Sequence, residues 1–178
     1  MDPYYLILFF GFGLLFGITG TAIVYAARFL PVDRRIAGIG VIALGCAAKY
    51  YYRLQMPPEP GIPIPLLTSI TGFCIHPLFF AGGALVISGL SRYGSCLKTK
   101  TVFPALFFTA GITAVLGPMG FYTALYPGAG GPGAPDFAVI PSLLTGLFEA
   151  CLAAVIFTGA CELCLHLQER DGSRVTES

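Results

Sequence analysis

Five apolar runs set the limits on what this chain can fold into. Each is about as long as the roughly 20 apolar residues that a helix needs to cross a bilayer, or longer. The runs cover residues 4–30, 36–54, 62–90, 102–126 and 137–167. Only 11% of the residues are charged, against about 25% in an ordinary soluble domain. The pattern predicts an all-α integral membrane protein: a single five-span helical bundle over residues 1–167, followed by a short charged cytoplasmic tail over residues 168–178.

The breaks between the runs are short and either charged or rich in proline and glycine. Residues 56–61 read MPPEPG and residues 127–135 read PGAGGPGAP, and neither stretch can continue a helix. The second run is the shortest and contains Lys49, which makes it the least favourable of the five for a bilayer core.

The distribution of basic residues predicts an orientation, because cytoplasmic loops carry an excess of Lys and Arg. With the N-terminus outside, the outer side receives only Lys49 and Arg53. The cytoplasmic side receives eight basic residues: Arg28, Arg34, Arg35, Arg92, Lys98, Lys100, Arg170 and Arg174. Tyrosines favour the water interface, and seven of them fall at the outer boundary in this arrangement. We therefore expect a multi-pass protein of the cell membrane with its N-terminus outside and its C-terminus inside.

Small residues recur at helical spacing inside the runs and indicate where helices approach each other. Gly13 and Gly17 form a GxxxG pair, Gly38 and Gly45 recur in the second run, and residues 81–84 read AGGA. Packing within one chain is the favoured interpretation of these positions, with contact to a second copy as the alternative.

Ionisable residues inside the apolar runs are the main candidates for function, since they are costly in a membrane. At 1.5 Å per residue, His76 lies about 20 Å into the third run and Glu149 about 18 Å into the fifth. Their similar depth predicts that they pair, with Lys49 as a third member and Thr145 and Thr113 lining the same polar cluster. Two interpretations stay open: a cavity that passes a solute, or a structural network in which these groups satisfy each other.

A second group of candidate ligands lies at the inner end of the fifth run. Cys161, Cys164 and His166 lie close together in the sequence there, and Cys96 lies in the loop expected on the same side. Three thiols and one imidazole suit tetrahedral zinc, although the paired spacing of most zinc sites is missing. Packing cysteines are the favoured interpretation, zinc the alternative, and redox chemistry a lesser one. A haem held by both histidines is excluded, because His166 lies about 44 Å along its run and His76 about 20 Å.

These observations leave three function hypotheses. The first is a non-enzymatic packing or assembly component of the membrane; the second is a conduit or carrier for a small solute or ion that uses the mid-membrane cluster. The third is a metal-binding or redox membrane protein that uses the inner cysteines. A net charge of +1 offers no basic face for nucleic acid, and no catalytic motif is present. The expected partners are the lipid bilayer and either another membrane protein or a second copy, with no cofactor expected and zinc as the alternative.

Overall fold

The computed structural model describes residues 3–55, 65–90, 92–94, 101–116 and 139–176, and these contain five α-helices and no strand. The helices are α1 (Pro3–Ala27), α2 (Arg34–Gln55), α3 (Leu66–Ser88), α4 (Val102–Leu116) and α5 (Val139–Thr176). Each helix overlaps one of the five predicted apolar runs. The protein is therefore all-helical over the part of the chain that the structure describes.

Three segments are long and apolar enough to cross a membrane: Pro3–Ala27, Leu66–Ser88 and Gly146–Leu167 within α5. Helix α4 is also apolar, but its described part has only 15 residues. Helix α2 has the length but carries four basic residues in 22, and it does not belong to the apolar group. Three candidate membrane helices are thus shown, whereas five crossings and the orientation stay predictions.

At their C-terminal ends, helices α1 and α5 show the largest differences from the predicted runs within the described residues. Helix α1 stops at Ala27 rather than at residue 30, and the chain continues through turns in which Arg28 N–H donates to the Tyr25 carbonyl. Helix α5 runs on to Thr176, through most of the segment expected to form the tail. The predicted fourth run extends to residue 126, and residues 117–126 lie outside the described part of the chain.

Helix α3 is the centre of the bundle and packs against all four other helices. One hydrophobic cluster joins it to α1, α4 and α5 through residues such as Phe80, Leu106 and Phe157. A smaller cluster joins it to α2 and α5 through Phe79 and Ala150. Because α3 is enclosed on several sides, its polar residues face other helices as well as the surroundings of the bundle.

Close helix contacts depend on the glycines that the sequence singles out. Gly13 and Gly17 of α1 lie against Phe107 of α4, so this GxxxG pair packs within the chain. On α3, a β-carbon at Gly82 would meet the side chain of Ile42 on α2, and one at Gly83 would meet backbone atoms of α5. Two consecutive glycines therefore let α3 approach two different neighbours at the same height.

Polar contacts bring three parts of the chain to one end of the bundle. Arg34, at the start of α2, donates to the carbonyl of Gly94 at 3.2 Å. Arg92 and Tyr93 both donate to the carboxylate of Glu162 on α5, at 2.8 and 2.5 Å. The start of α2, the segment that follows α3 and the C-terminal half of α5 therefore lie together, as an antiparallel arrangement of consecutive helices requires.

Candidate functional site

Glu149 is an almost fully enclosed acid, with only 2% of its side chain exposed. Its Oε2 lies 2.7 Å from Nδ1 of His76 on α3. The two residues occupy equivalent positions, each ten residues after the first residue of its helix, or about 15 Å along the axis. The structure thus brings together the two groups that the depth estimate places at similar height.

His76 is held in place by aromatic rings as well as by Glu149. Its imidazole stacks on Phe16 of α1, with ring centroids 5.6 Å apart, and lies 6.5 Å from the ring of Phe80. Its side chain is 40% exposed, unlike that of Glu149. The adjacent Pro77 cannot donate an N–H within the helix, yet α3 continues through it as one helix. His76 therefore presents one nitrogen to a buried acid while part of its ring stays accessible.

Lys49 reaches the same region from α2. Its Nζ lies 5.6 Å from the centre of the Phe79 ring, a geometry typical of a cation–π contact. It is also close enough to Glu149 for an electrostatic interaction. Phe79 is positioned by Gly45 of α2 and Gly146 of α5, both of which leave room for its ring. One acid and two potential cations from three helices therefore converge, and we call Lys49, His76 and Glu149 the polar cluster.

Two threonines are predicted to line the cluster, and the structure describes the side chain of Thr113 but not that of Thr145. Thr113 donates its hydroxyl to the carbonyl of Thr109 in its own helix, at 2.8 Å. Thr109 in turn donates to Ala105 at the same distance, so both hydroxyls are used locally on α4. The side chain of Thr145 lies outside the described part of the structure. The described part of the cluster is thus a set of ionisable groups.

The cluster has the components needed to exchange protons. Carboxylate and imidazole both bind and release protons in the range in which proteins operate. Nδ1 of His76 faces Glu149, and Nε2 is the ring nitrogen that points away from it. Lys49 adds an amino group that interacts electrostatically with the same acid. Such an arrangement suits the passage of a proton better than nucleophilic chemistry.

The residues predicted to bind zinc do not gather in the described structure. Cys161 is fully buried in the hydrophobic core, and the thiol of Cys164 lies 3.3 Å from the hydroxyl of Thr101. His166 is exposed and stands about 140° around the helix from Cys161, because each residue turns the helix by about 100°. Cys96 lies outside the described residues, within which no group of three metal-binding side chains occurs.

Sequence reasoning missed the partners of Glu162. The Tyr93 hydroxyl donates to Glu162, and this bond raises the pKa of Tyr93 above its ordinary value. Arg92 forms an ion pair with the same carboxylate at 2.8 Å, at an exposed position where such pairs contribute little stability. The available signal was that Arg92, Tyr93 and Glu162 all fall on the predicted inner side of the membrane.

Comparison with known proteins identifies no relative: no family model matches the chain, and no curated protein or solved structure is significantly similar to it.

Proposed function

We propose that this protein is an integral membrane protein with five spans, N-terminus outside and C-terminus inside, that conducts a small ion through the polar cluster. The proton is the ion that the cluster can pass by its own chemistry. The observation that carries this proposal is the 2.7 Å contact between the buried Glu149 and the part-exposed His76. Lys49 supports it as a third ionisable group on a third helix.

The cost of placing these groups in a membrane favours a functional role. Ionisable side chains inside membrane helices are expensive, and they commonly mark ion pathways and proton relays. Helix association alone can be achieved with small residues and hydroxyl groups, and this bundle already has both. An acid, an imidazole and an amine at one site exceed what packing requires.

Replacing Glu149 with Gln tests the proposal directly. Glutamine has the same shape and can still hydrogen-bond His76, but it cannot bind or release a proton. With purified protein in vesicles that enclose a pH-sensitive dye, we expect a pH-dependent proton flux that falls about a hundredfold in Glu149→Gln, the scale typical of losing one proton-transferring group.

Glu162→Gln provides the matched control for this experiment. Glu162 lies on the same helix but belongs to the exposed contact with Arg92 and Tyr93, so its replacement should leave the flux within about twofold of wild type, given the small effect expected of exposed pairs. Equal flux in wild type and Glu149→Gln would refute the conduit.

A non-enzymatic packing or assembly role is the second candidate, favoured by the near-complete burial of Glu149 where three helices meet. In that case the wild-type protein passes no protons, and Glu149→Ala lowers the free energy of unfolding by up to about 3 kcal/mol, because a buried pair loses one partner. A partner subunit that co-purifies with wild type and is lost from the variant would distinguish assembly from packing alone.

A further inference from the structure

Thr68, near the start of α3, has a buried hydroxyl that the fold does not satisfy. Its relative exposure is 1%, and within the described residues its Oγ1 is the buried side-chain oxygen or nitrogen that lacks a hydrogen-bond partner. Buried polar groups in proteins are almost always paired, and leaving one unpaired costs free energy. The Thr68 hydroxyl therefore lacks the hydrogen bond that a buried polar group normally makes, and a bound ligand could supply it.

Other threonines in the bundle show how a helical threonine hydroxyl is usually hydrogen-bonded in this protein. Six of them donate to the carbonyl four residues earlier in their own helix: Thr19, Thr21, Thr71, Thr109, Thr113 and Thr158. Thr68 is the third residue of α3, so no helical residue lies four positions before it. Among the described residues, its hydroxyl does not make this bond.

The helical register places Thr68 on the same face of α3 as Ile75 and Phe79, about 80° around the helix from His76. Ile75 and Phe79 follow it by seven and eleven residues, two and three turns further along nearly the same face. Both belong to the cluster shared with α2 and α5, and Lys49 lies over Phe79. Thr68 precedes His76 by eight residues, about 12 Å along the axis.

We propose that the Thr68 hydroxyl binds the water that carries the proton between the N-terminal end of α3 and the polar cluster. A hydroxyl both donates and accepts hydrogen bonds, as transfer along a chain of water molecules requires. Buried water commonly satisfies groups of this kind. This inference rests on the proposed conduit and assigns one of its binding positions.

Removing the hydroxyl without changing the shape of the side chain separates this role from a packing role. In the vesicle assay with the enclosed pH-sensitive dye, we expect Thr68→Val to lower the proton flux at least about tenfold, with no fall in melting temperature, because the lost hydroxyl had no protein partner. Thr68→Ser keeps the hydroxyl and should restore the flux. If Thr68→Val does not fold, Thr68→Ala gives the same comparison.

Thr71→Val is the control, since Thr71 lies three residues away and its hydroxyl is already bonded to Leu67. Its flux should match wild type. If Glu149→Gln abolishes the flux but Thr68→Val and Thr68→Ala keep it, the conduit stands and the role of Thr68 is refuted. A wild-type protein without proton flux refutes the conduit and the assignment of Thr68 together.

Discussion

Asp33 fixes the start of α2 through a single carboxylate. Its Oδ1 accepts the backbone N–H of Arg35 at 2.7 Å and also faces the guanidinium of Arg35 at 3.3 Å. These bonds, the backbone N–H foremost, lower the pKa of Asp33 below its ordinary value of 3.8. Because the folded-state pKa is depressed, the stabilisation is complete above the unfolded-state pKa and is lost as pH falls through the folded-state value.

Two substitutions at Asp33 separate its charge from its capping role. Asparagine caps helices as well as aspartate, whereas alanine does not. We expect Asp33→Asn to melt slightly below wild type at neutral pH and to converge with it under acid conditions, where wild-type Asp33 is protonated. Asp33→Ala should stay below Asp33→Asn throughout. Thermal unfolding in detergent, followed by circular dichroism from neutral to acid pH, measures both; a pH-independent gap between wild type and Asp33→Asn would contradict the role of the charge.

At the residue scale, the sequence predicts a contact between two side chains when their positions along the helix axes are enough to determine it. Counting residues places His76 and Glu149 at similar depth, and their 2.7 Å contact follows because α3 and α5 carry them at the same distance from their starts. It does not reveal that Glu162 meets Tyr93 or that Thr68 is buried. Those facts depend on which way each helix face turns, and an almost uniformly apolar helix gives no periodic signal from which to read its orientation.

At the scale of elements, hydropathy finds the helices better than it finds their ends. All five helices overlap apolar runs, yet α5 continues to Thr176 through polar sequence. The length of an apolar run indicates how many residues can lie in the bilayer core. The end of a helix is set instead by where the backbone stops making its i to i−4 hydrogen bonds. Helix α2 shows that a helix can also form where the composition is not that of a membrane span, since it contains four basic residues.

Two glycines of α2 test whether close packing holds this helix against α3. A β-carbon at Gly38 would lie 2.8 Å from the carbonyl oxygen of Gly82, whereas one at Gly40 would meet nothing within 4 Å. We expect Gly38→Ala to destabilise the protein by about 1–3 kcal/mol, since the clash is with backbone. Gly40→Ala should be neutral or stabilising by up to about 1 kcal/mol, because alanine favours helix.

The free energies of unfolding of the two glycine variants in the same detergent provide the measurement. Both substitutions add one methyl group to the same helix, so a difference between them reports the contact with α3 and not helix propensity. Equal stability of Gly38→Ala and Gly40→Ala would show that α2 does not depend on this contact.

At the scale of the whole molecule, the central place of α3 was not predictable from the sequence. The small residues mark where helices approach, but a GxxxG pair does not name its partner, and Gly13 and Gly17 could equally have faced a second copy. Their contact with Phe107 results from the combined packing of four helices around α3. The clustering of Arg34, Arg92 and Glu162 at one end agrees with alternating helix directions and supports the proposed count of crossings.

The number of crossings depends on α2, and two positions that flank it provide the test. Val32 precedes the helix at an exposed position, and Gln55 is its last residue, also exposed. If α2 crosses the bilayer and the N-terminus is outside, Gln55→Cys reacts with a membrane-impermeant thiol reagent in intact cells. Val32→Cys then reacts only after the cells are permeabilised, because the basic residues around it favour the cytoplasm. The wild-type chain, which has its own cysteines, gives the background labelling. Labelling of both positions from the same side would show that α2 does not cross and would remove the five-span arrangement on which the proton path depends.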